Sequence, residues 1–140
     1  MLLDDWIAIW NGDYTSVSRA IAPDFTVHAA LMDGGSVDGP DGLVEWIKQT
    51  RAPFSELEFA VEVGPIEDGQ YIVVRWLATG VYGGGFPGAT APAGAPISFT
   101  GTDILRVHDG LIAEYWINSD VHVLLGQLGV VVDSVPTAQS

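Results

Sequence analysis

Two aspartates stand at positions where a carboxylate could do chemistry. Asp103 lies in Thr100-Gly101-Thr102-Asp103-Ile104-Leu105-Arg106-Val107, a run with strand character, and Asp120 lies where Glu114-Tyr115-Trp116-Ile117-Asn118-Ser119 gives way to Val121-His122-Val123-Leu124-Leu125. A charged group inside a strand is either exposed or raised in pKa by burial. Strand alternation puts Asp103 on the face of Phe99, Leu105 and Val107, and Arg106 on the other. An inward Asp103 would then lack that partner and could serve as a neutral, hydrogen-bond-donating acid; the alternative is a pair with Arg75 of a neighbouring strand. Asp120 precedes an apolar run of helical spacing, so it suits an N-cap worth roughly 1 kcal/mol or the working carboxylate of an active site. His28, inside the apolar stretch Phe25–Ala29, is either a satisfied core or edge residue or a base or donor facing a pocket. His108, in a His-Asp-Gly turn, and His122, in the first turn of the last helix, read as surface residues.

Other chemistries find no support. The three His are far apart without metal-ligand spacing, and zero Cys removes disulfides, thiol nucleophiles and thiolate sites. There is no nucleophile elbow and no P-loop, and Gly83-Gly84-Gly85 lies between two strands, where it cannot cradle a phosphate at a helix start. Five Lys and Arg against 18 Asp and Glu give a net charge of −13, which leaves no basic stripe for nucleic acid or anionic membranes. No apolar run approaches a bilayer-spanning length, and the acidic start Met1-Leu2-Leu3-Asp4-Asp5 is unlike a secretory signal, so the expected location is the cytoplasm. The five Trp fall on apolar faces, most of them as core, with Trp10, Trp46, Trp76 and Trp116 the candidates for a pocket wall.

The elements that must position these groups follow from periodicity. Leu2, Leu3, Trp6, Ile7, Ile9 and Trp10 predict a helix over residues 2–10, ended by Asn11-Gly12. Asp13 is expected to cap a second helix, Tyr14 to Ile21, stopped by Pro23. A strand is expected over Phe25–Ala30, a loop at Asp33-Gly34-Gly35, and a helix from Pro40 to about Thr50. Alternation from Leu57 to Val63 predicts the next strand, the turn Glu67-Asp68-Gly69-Gln70 leads to another at Tyr71–Tyr82, and Ile97–Val107 and Leu111–Asn118 complete a meander. A helix over Val121–Leu128 follows. The uncharged run 83–96, rich in Gly, Ala and Pro, is either a cavity rim or subunit contact or plain slack. At 140 residues with 48% apolar content the chain reads as one α+β domain over residues 1–130, with a partly flexible tail at 131–140. A curved antiparallel sheet wrapped over the N-terminal helices encloses a mostly apolar pocket with a few inward polar groups.

Several segments together resemble the SnoaL-like polyketide cyclases, within the broader ketosteroid-isomerase and nuclear-transport-factor cone. They are Trp10-Asn11-Gly12-Asp13, Ala22-Pro23-Asp24-Phe25-Thr26-Val27-His28 and Gly39-Pro40-Asp41-Gly42, then the strand Arg75 to Gly80, Arg106 to Trp116, and the ending Glu114-x-Trp116-x-x-x-Asp120-x-x-x-Leu124-Leu125-x-Gln127-Leu128-Gly129. The resemblance spans roughly residues 5–129. It implies a cone-shaped fold, cofactor-free acid–base chemistry that closes a ring by an intramolecular aldol reaction on a hydrophobic polyketide-like substrate, and a homodimer through the open sheet face. By motif match Asp120 would be the general acid/base, His28 a pocket residue, and Asp103 would fall near the oxyanion-stabilising acid of ketosteroid isomerases. Tyr82 stands where many relatives carry His and could donate to an enolate. Phe99, Asn118 and Arg75 join it and the tryptophans as expected substrate contacts. The superfamily also implies alternatives: a non-catalytic binding or dimerisation module, a dehydratase, a hydroxylase partner, or an epoxide hydrolase, the last needing Arg75 turned inward beside two carboxylates.

Overall fold

The described residues, 2–29 and 36–131 of a computed structural model, start with α1 (Leu2–Trp10), where Leu3, Trp6 and Trp10 recur at helical spacing and are buried on one face. The second helix is a single turn, α2 (Val17–Ala20), rather than the expected Tyr14–Ile21. Asp13 forms a local turn instead of a cap: its Oδ1 accepts from the Thr15 amide at 3.1 Å and the Thr15 hydroxyl at 2.8 Å. Strand β1 already begins at Ile21 and runs to His28. Helix α3 (Gly39–Arg51) opens with Pro40 in its first turn and buries Leu43 and Ile47.

The chain then meanders through β2 (Phe54–Asp68), β3 (Tyr71–Tyr82), β4 (Pro96–His108) and β5 (Leu111–Ser119), and closes with α4 (Val121–Leu128). The sheet order is β1-β5-β4-β3-β2. The meander is antiparallel throughout, through tight turns at 69–70 and 109–110 and the longer run 83–95, but β1 joins β5 in parallel. The sheet is therefore mixed, because β5 comes back alongside β1 only after the long passage through α3 and the meander. The α+β class and the curved sheet packed on N-terminal helices are as expected.

One sheet face is apolar and covered: Val74, Trp76, Ala78, Leu105 and Tyr115 are all buried with Trp6, Ile9, Leu43 and Ile47 of the helices. Run 83–95 is pinned rather than slack. The Tyr82 amide donates to Ala95 O, the Phe86 amide donates to the Tyr82 hydroxyl at 2.9 Å, and the Thr90 and Ala91 amides both donate to Leu128 O at the end of α4. Gly129, at φ 73°, ends that helix in the left-handed conformation that glycine adopts without steric cost. A Cβ there would also collide with the Thr90 side chain. Among the described residues no helix is long and apolar enough to cross a membrane. The expected loop at Asp33-Gly34-Gly35 and the tail from residue 132 lie outside the described residues.

Candidate active site

The covered face of the sheet is not packed solid. Between it and helices α1, α3 and α4 lies a cavity of about 610 Å³, within the usual range for small-molecule sites. Its wall is aromatic: Trp10 of α1, Trp46 of α3, and Phe59, Trp76, Phe99 and Tyr115 of the strands. These rings hold one another edge-on, Trp10 to Trp46 with centroids 5.2 Å apart and Trp76 to Phe99 at 5.5 Å, a preferred contact geometry for aromatic pairs. Phe86 carries the pinned loop to the rim.

Asp103 is the buried polar group of this wall, 2% exposed. Strand alternation places it inward, as expected, with Phe99 and Leu105, while Arg106 faces outward and pairs with Glu114 at 2.7 Å. Three neutral donors hold its carboxylate: Trp6 Nε1 to Oδ2 at 3.0 Å, and Trp76 Nε1 and the Tyr115 hydroxyl to Oδ1 at 2.9 Å and 3.0 Å. An indole N–H can only donate, so the arrangement suits an ionised acceptor, not the donating neutral acid that position alone suggests. Burial pushes the carboxyl up from 3.8 to about 6, against the three hydrogen bonds that favour its charge. Burial also raises the Tyr115 phenol well above its ordinary range, helped by the charge of Asp103 and the bond to it.

The cradle depends on a missing side chain. Gly101 pairs directly with Trp76 across β3 and β4, and a Cβ at Gly101 would overlap the six-membered ring of the Trp76 indole. Glycine therefore lets the indole lie flat over the strand with its N–H reaching Asp103.

Asp120 is elsewhere. Its carbonyl begins α4 by accepting from the Val123 amide, but its side chain makes no cap bond. Its Oδ2 instead accepts from the Thr100 hydroxyl at 2.5 Å, and that hydroxyl receives Arg75 Nη2 at 3.2 Å. Arg75 also donates through Nε to Glu62 at 2.6 Å. This chain runs on the outward side of the sheet, and Asp120 does not line the cavity although its neighbours Ser119 and Val121 do.

Five expected site residues thus meet at the cavity: Asp103, Trp10, Trp46, Trp76 and Phe99. His28 does not join them. It is exposed, with Nε2 2.6 Å from Glu114 Oε2 and its ring stacked on Trp116 at 4.9 Å. Trp116 and Asn118 share that outward face because Tyr115 and Ile117 take the inward one. Arg75 is outward, so no Arg-centred carboxylate network of the epoxide-hydrolase kind forms in the cavity. Tyr82 is buried, but its hydroxyl is engaged by the Phe86 amide and anchors the loop. Sequence reasoning missed Trp6 and Tyr115 as holders of Asp103; the period of α1 and strand parity could have nominated both, but not the bonds. It also missed Gln127, whose side-chain amide grips both the amide and the carbonyl of Ser98 at 2.8 Å and so fixes α4 over the cavity. Among the described residues no group of His, Cys, Asp and Glu is placed to hold a metal ion.

Residues 1–128 match the family model of the SnoaL-like polyketide cyclases. Three solved structures are similar over nearly their whole length. IdmH from Streptomyces antibioticus, described as a "putative polyketide cyclase", is 31% identical, covers 88% of this chain and 91% of its own, and has a TM-score of 0.73. A "putative polyketide cyclase" from Acidithiobacillus ferrooxidans is 26% identical over 91% of this chain and 92% of its own, with a TM-score of 0.79. A protein of ketosteroid isomerase-like fold from Catenulispora acidiphila, solved in complex with trimethylamine, is 20% identical over 96% and 97%, with a TM-score of 0.73. No curated protein matches the chain.

Proposed function

This chain belongs to the SnoaL-like polyketide cyclase family, and from that premise we propose that it is a cofactor-independent cyclase-like enzyme acting on a hydrophobic carbonyl compound, with the Asp103 carboxylate as its proton acceptor. One observation carries the reading: an ionisable carboxyl with no charged partner, buried in the wall of an aromatic cavity. A base works best when its pKa lies near the working pH, and burial brings this one to about 6.

In the proposed step a flat substrate lies against Trp76 and Phe99. The C–H bond alpha to a carbonyl breaks, Asp103 takes the proton and becomes the carboxylic acid, and the electron pair passes to the enolate. The enolate carbon then bonds to a second carbonyl carbon of the same molecule. The new alkoxide takes the proton back from Asp103 and becomes a hydroxyl, so atoms and charge balance without a co-reactant. The Tyr115 hydroxyl, relieved of its bond when Asp103 is protonated, is the donor beside the developing oxyanion. The aromatic walls hold the two reacting carbons together and lower the entropic part of the barrier. The proposed assembly is a homodimer through the outward sheet face, where Val63, Tyr71 and Ile104 are left exposed; Ile104→Glu should then convert dimer to monomer in light scattering.

The catalytic assignment is tested with 2-tetralone in D2O, following loss of the α-proton signal by NMR. Wild type should accelerate exchange, and Asp103→Asn should abolish the acceleration while keeping its circular dichroism. Exchange no faster than buffer alone, or full activity in Asp103→Asn, would overturn it and leave a binding module of the same fold.

A further inference from the structure

The five Lys and Arg side chains all lie among the described residues, and none of them is bonded to Asp103. The five Lys and Arg are Arg19, Lys48, Arg51, Arg75 and Arg106. Arg19 pairs with Asp5, Arg75 with Glu62 and Arg106 with Glu114. Arg51 donates to the carbonyls of Trp10 and Leu57, and Lys48 sits 5.5 Å from the centre of the Tyr14 ring. Of the three His, His28 faces Glu114, His108 faces Asp109, and His122 is exposed. The ionisable side chains that line the cavity besides Tyr115 are Asp103 and, on α3 beside Trp46, Glu45. The wall is therefore negative, and among the described residues no cationic side chain lines it.

A buried charge is costly unless paired, and three neutral donors answer only part of that cost. The remainder favours a cation brought in by the ligand. The wall suits such a ligand for a second reason. Ring faces attract cations, Trp best, and Trp10, Trp46, Trp76 and Phe99 stand within one cavity. Trp76 and Tyr115 also donate their N–H and O–H to the Asp103 carboxylate, which pushes electron density back into the rings and strengthens the pull of their faces. A ligand carboxylate, by contrast, would enter a low-dielectric space that already holds like charge and no donor cation.

We propose that the cavity selects its ligand by charge: it takes a flat apolar molecule bearing a quaternary or protonated amine, the ammonium seated among the Trp46, Trp76 and Phe99 rings near Asp103, and it excludes carboxylate-bearing analogues. This rests on the reading of the same cavity as the substrate site and names the class of substrate. An ammonium group close to the reacting ketone would also make its α-proton more acidic, which offsets the weaker basicity of a carboxylate paired with a cation.

Three probes built on one benzene ring test it by titration calorimetry on the full chain at pH 8: phenyltrimethylammonium, its uncharged isostere tert-butylbenzene, and the anion benzoate. The cation should bind at least tenfold more tightly than the isostere, and benzoate should show no binding. Asp103→Asn should shrink the preference to about threefold or less while affinity for the isostere stays within twofold. Trp46→Leu, at the half-buried rim where folding is least at risk, should weaken the cation at least fivefold and the isostere less. Equal affinity for cation and isostere, measurable benzoate binding, or a preference untouched in both variants overturns the proposal. The proton-exchange assay separates the two failures. Exchange without charge preference sinks only the ligand class, and charge preference without exchange sinks only the catalytic reading.

Discussion

Asp103 and Asp120 are the same residue type, 17 positions apart, and the fold gives them opposite surroundings. Asp103 points inward from β4 into a wall of indoles, where burial raises its carboxyl to about 6. Asp120 sits at the junction of β5 and α4, half-exposed, in a chain of hydrogen bonds through Thr100 and Arg75 to Glu62. The first is held by neutral donors and carries an unbalanced charge into the cavity. The second is tied into a surface network that contains the Arg75 guanidinium. Family motif alone favours Asp120 as the acid–base group; solvent exclusion and geometry favour Asp103. On the proposed reading, a carboxylate's reactivity is set by what it is denied, here water and a counter-ion, more than by its place in a motif.

That contrast can be broken at graded cost. The largest effect is on the pH dependence of stability. The folded-state pKa of Asp103 is raised, so the folded protein holds a proton that the unfolded chain releases near 3.8. Stability associated with this group is fully present below about pH 4 and is lost as pH rises through about 6, by on the order of 3 kcal/mol. Denaturant melts between pH 3.5 and 7.5 should show that loss in wild type and not in Asp103→Asn, whereas Asp120→Asn should keep it. A next step is Gly101→Ala, which forces the Trp76 indole off its seat. Overpacking of this kind costs about 1–3 kcal/mol, and the variant should also lose exchange activity because one of the three bonds to Asp103 goes with the ring. If Gly101→Ala matches wild type in both melting and activity, the cradle is not what holds the carboxylate. The smallest effect belongs to the outward network: Thr100→Val removes one partly exposed hydrogen bond to Asp120 and should cost about 0.5–1.5 kcal/mol, with exchange activity within about threefold of wild type. A collapse of activity in Thr100→Val would move the chemistry back toward Asp120.

Much of the fold is legible from periodicity because its strands are long and its turns are marked by Gly69 and Gly110, both at positive φ. Strand β3 and helices α1 and α4 run between the residues that alternation and spacing indicate. The short second helix was not legible, because Tyr14–Ile21 has helical spacing while the Asp13–Thr15 turn and the β-branched Ile21 belong to other structures. The parallel pairing of β1 with β5 leaves no local mark at all, since it is decided by partners about 90 residues apart. In the site, the inward direction of Asp103 could be read from its alternation with Phe99 and Leu105. The bond from Tyr115 to Asp103 could not: parity separates Tyr115 from Trp116, but which β5 side chain lies within reach of Asp103 depends on the register of β5 against β4. His28 was misplaced for a related reason. Its apolar neighbours suggest a buried strand, but its own side faces the ion pair of Glu114 and Arg106.

The most direct measurement is the pH profile of kcat/KM for α-proton exchange in wild type, Asp103→Asn and Asp120→Asn. A base must be ionised to work, so activity in wild type and Asp120→Asn should rise with pH and level off above an apparent pKa near 6, while Asp103→Asn stays at the level of buffer. A rising limb that survives in Asp103→Asn and disappears in Asp120→Asn would contradict the account.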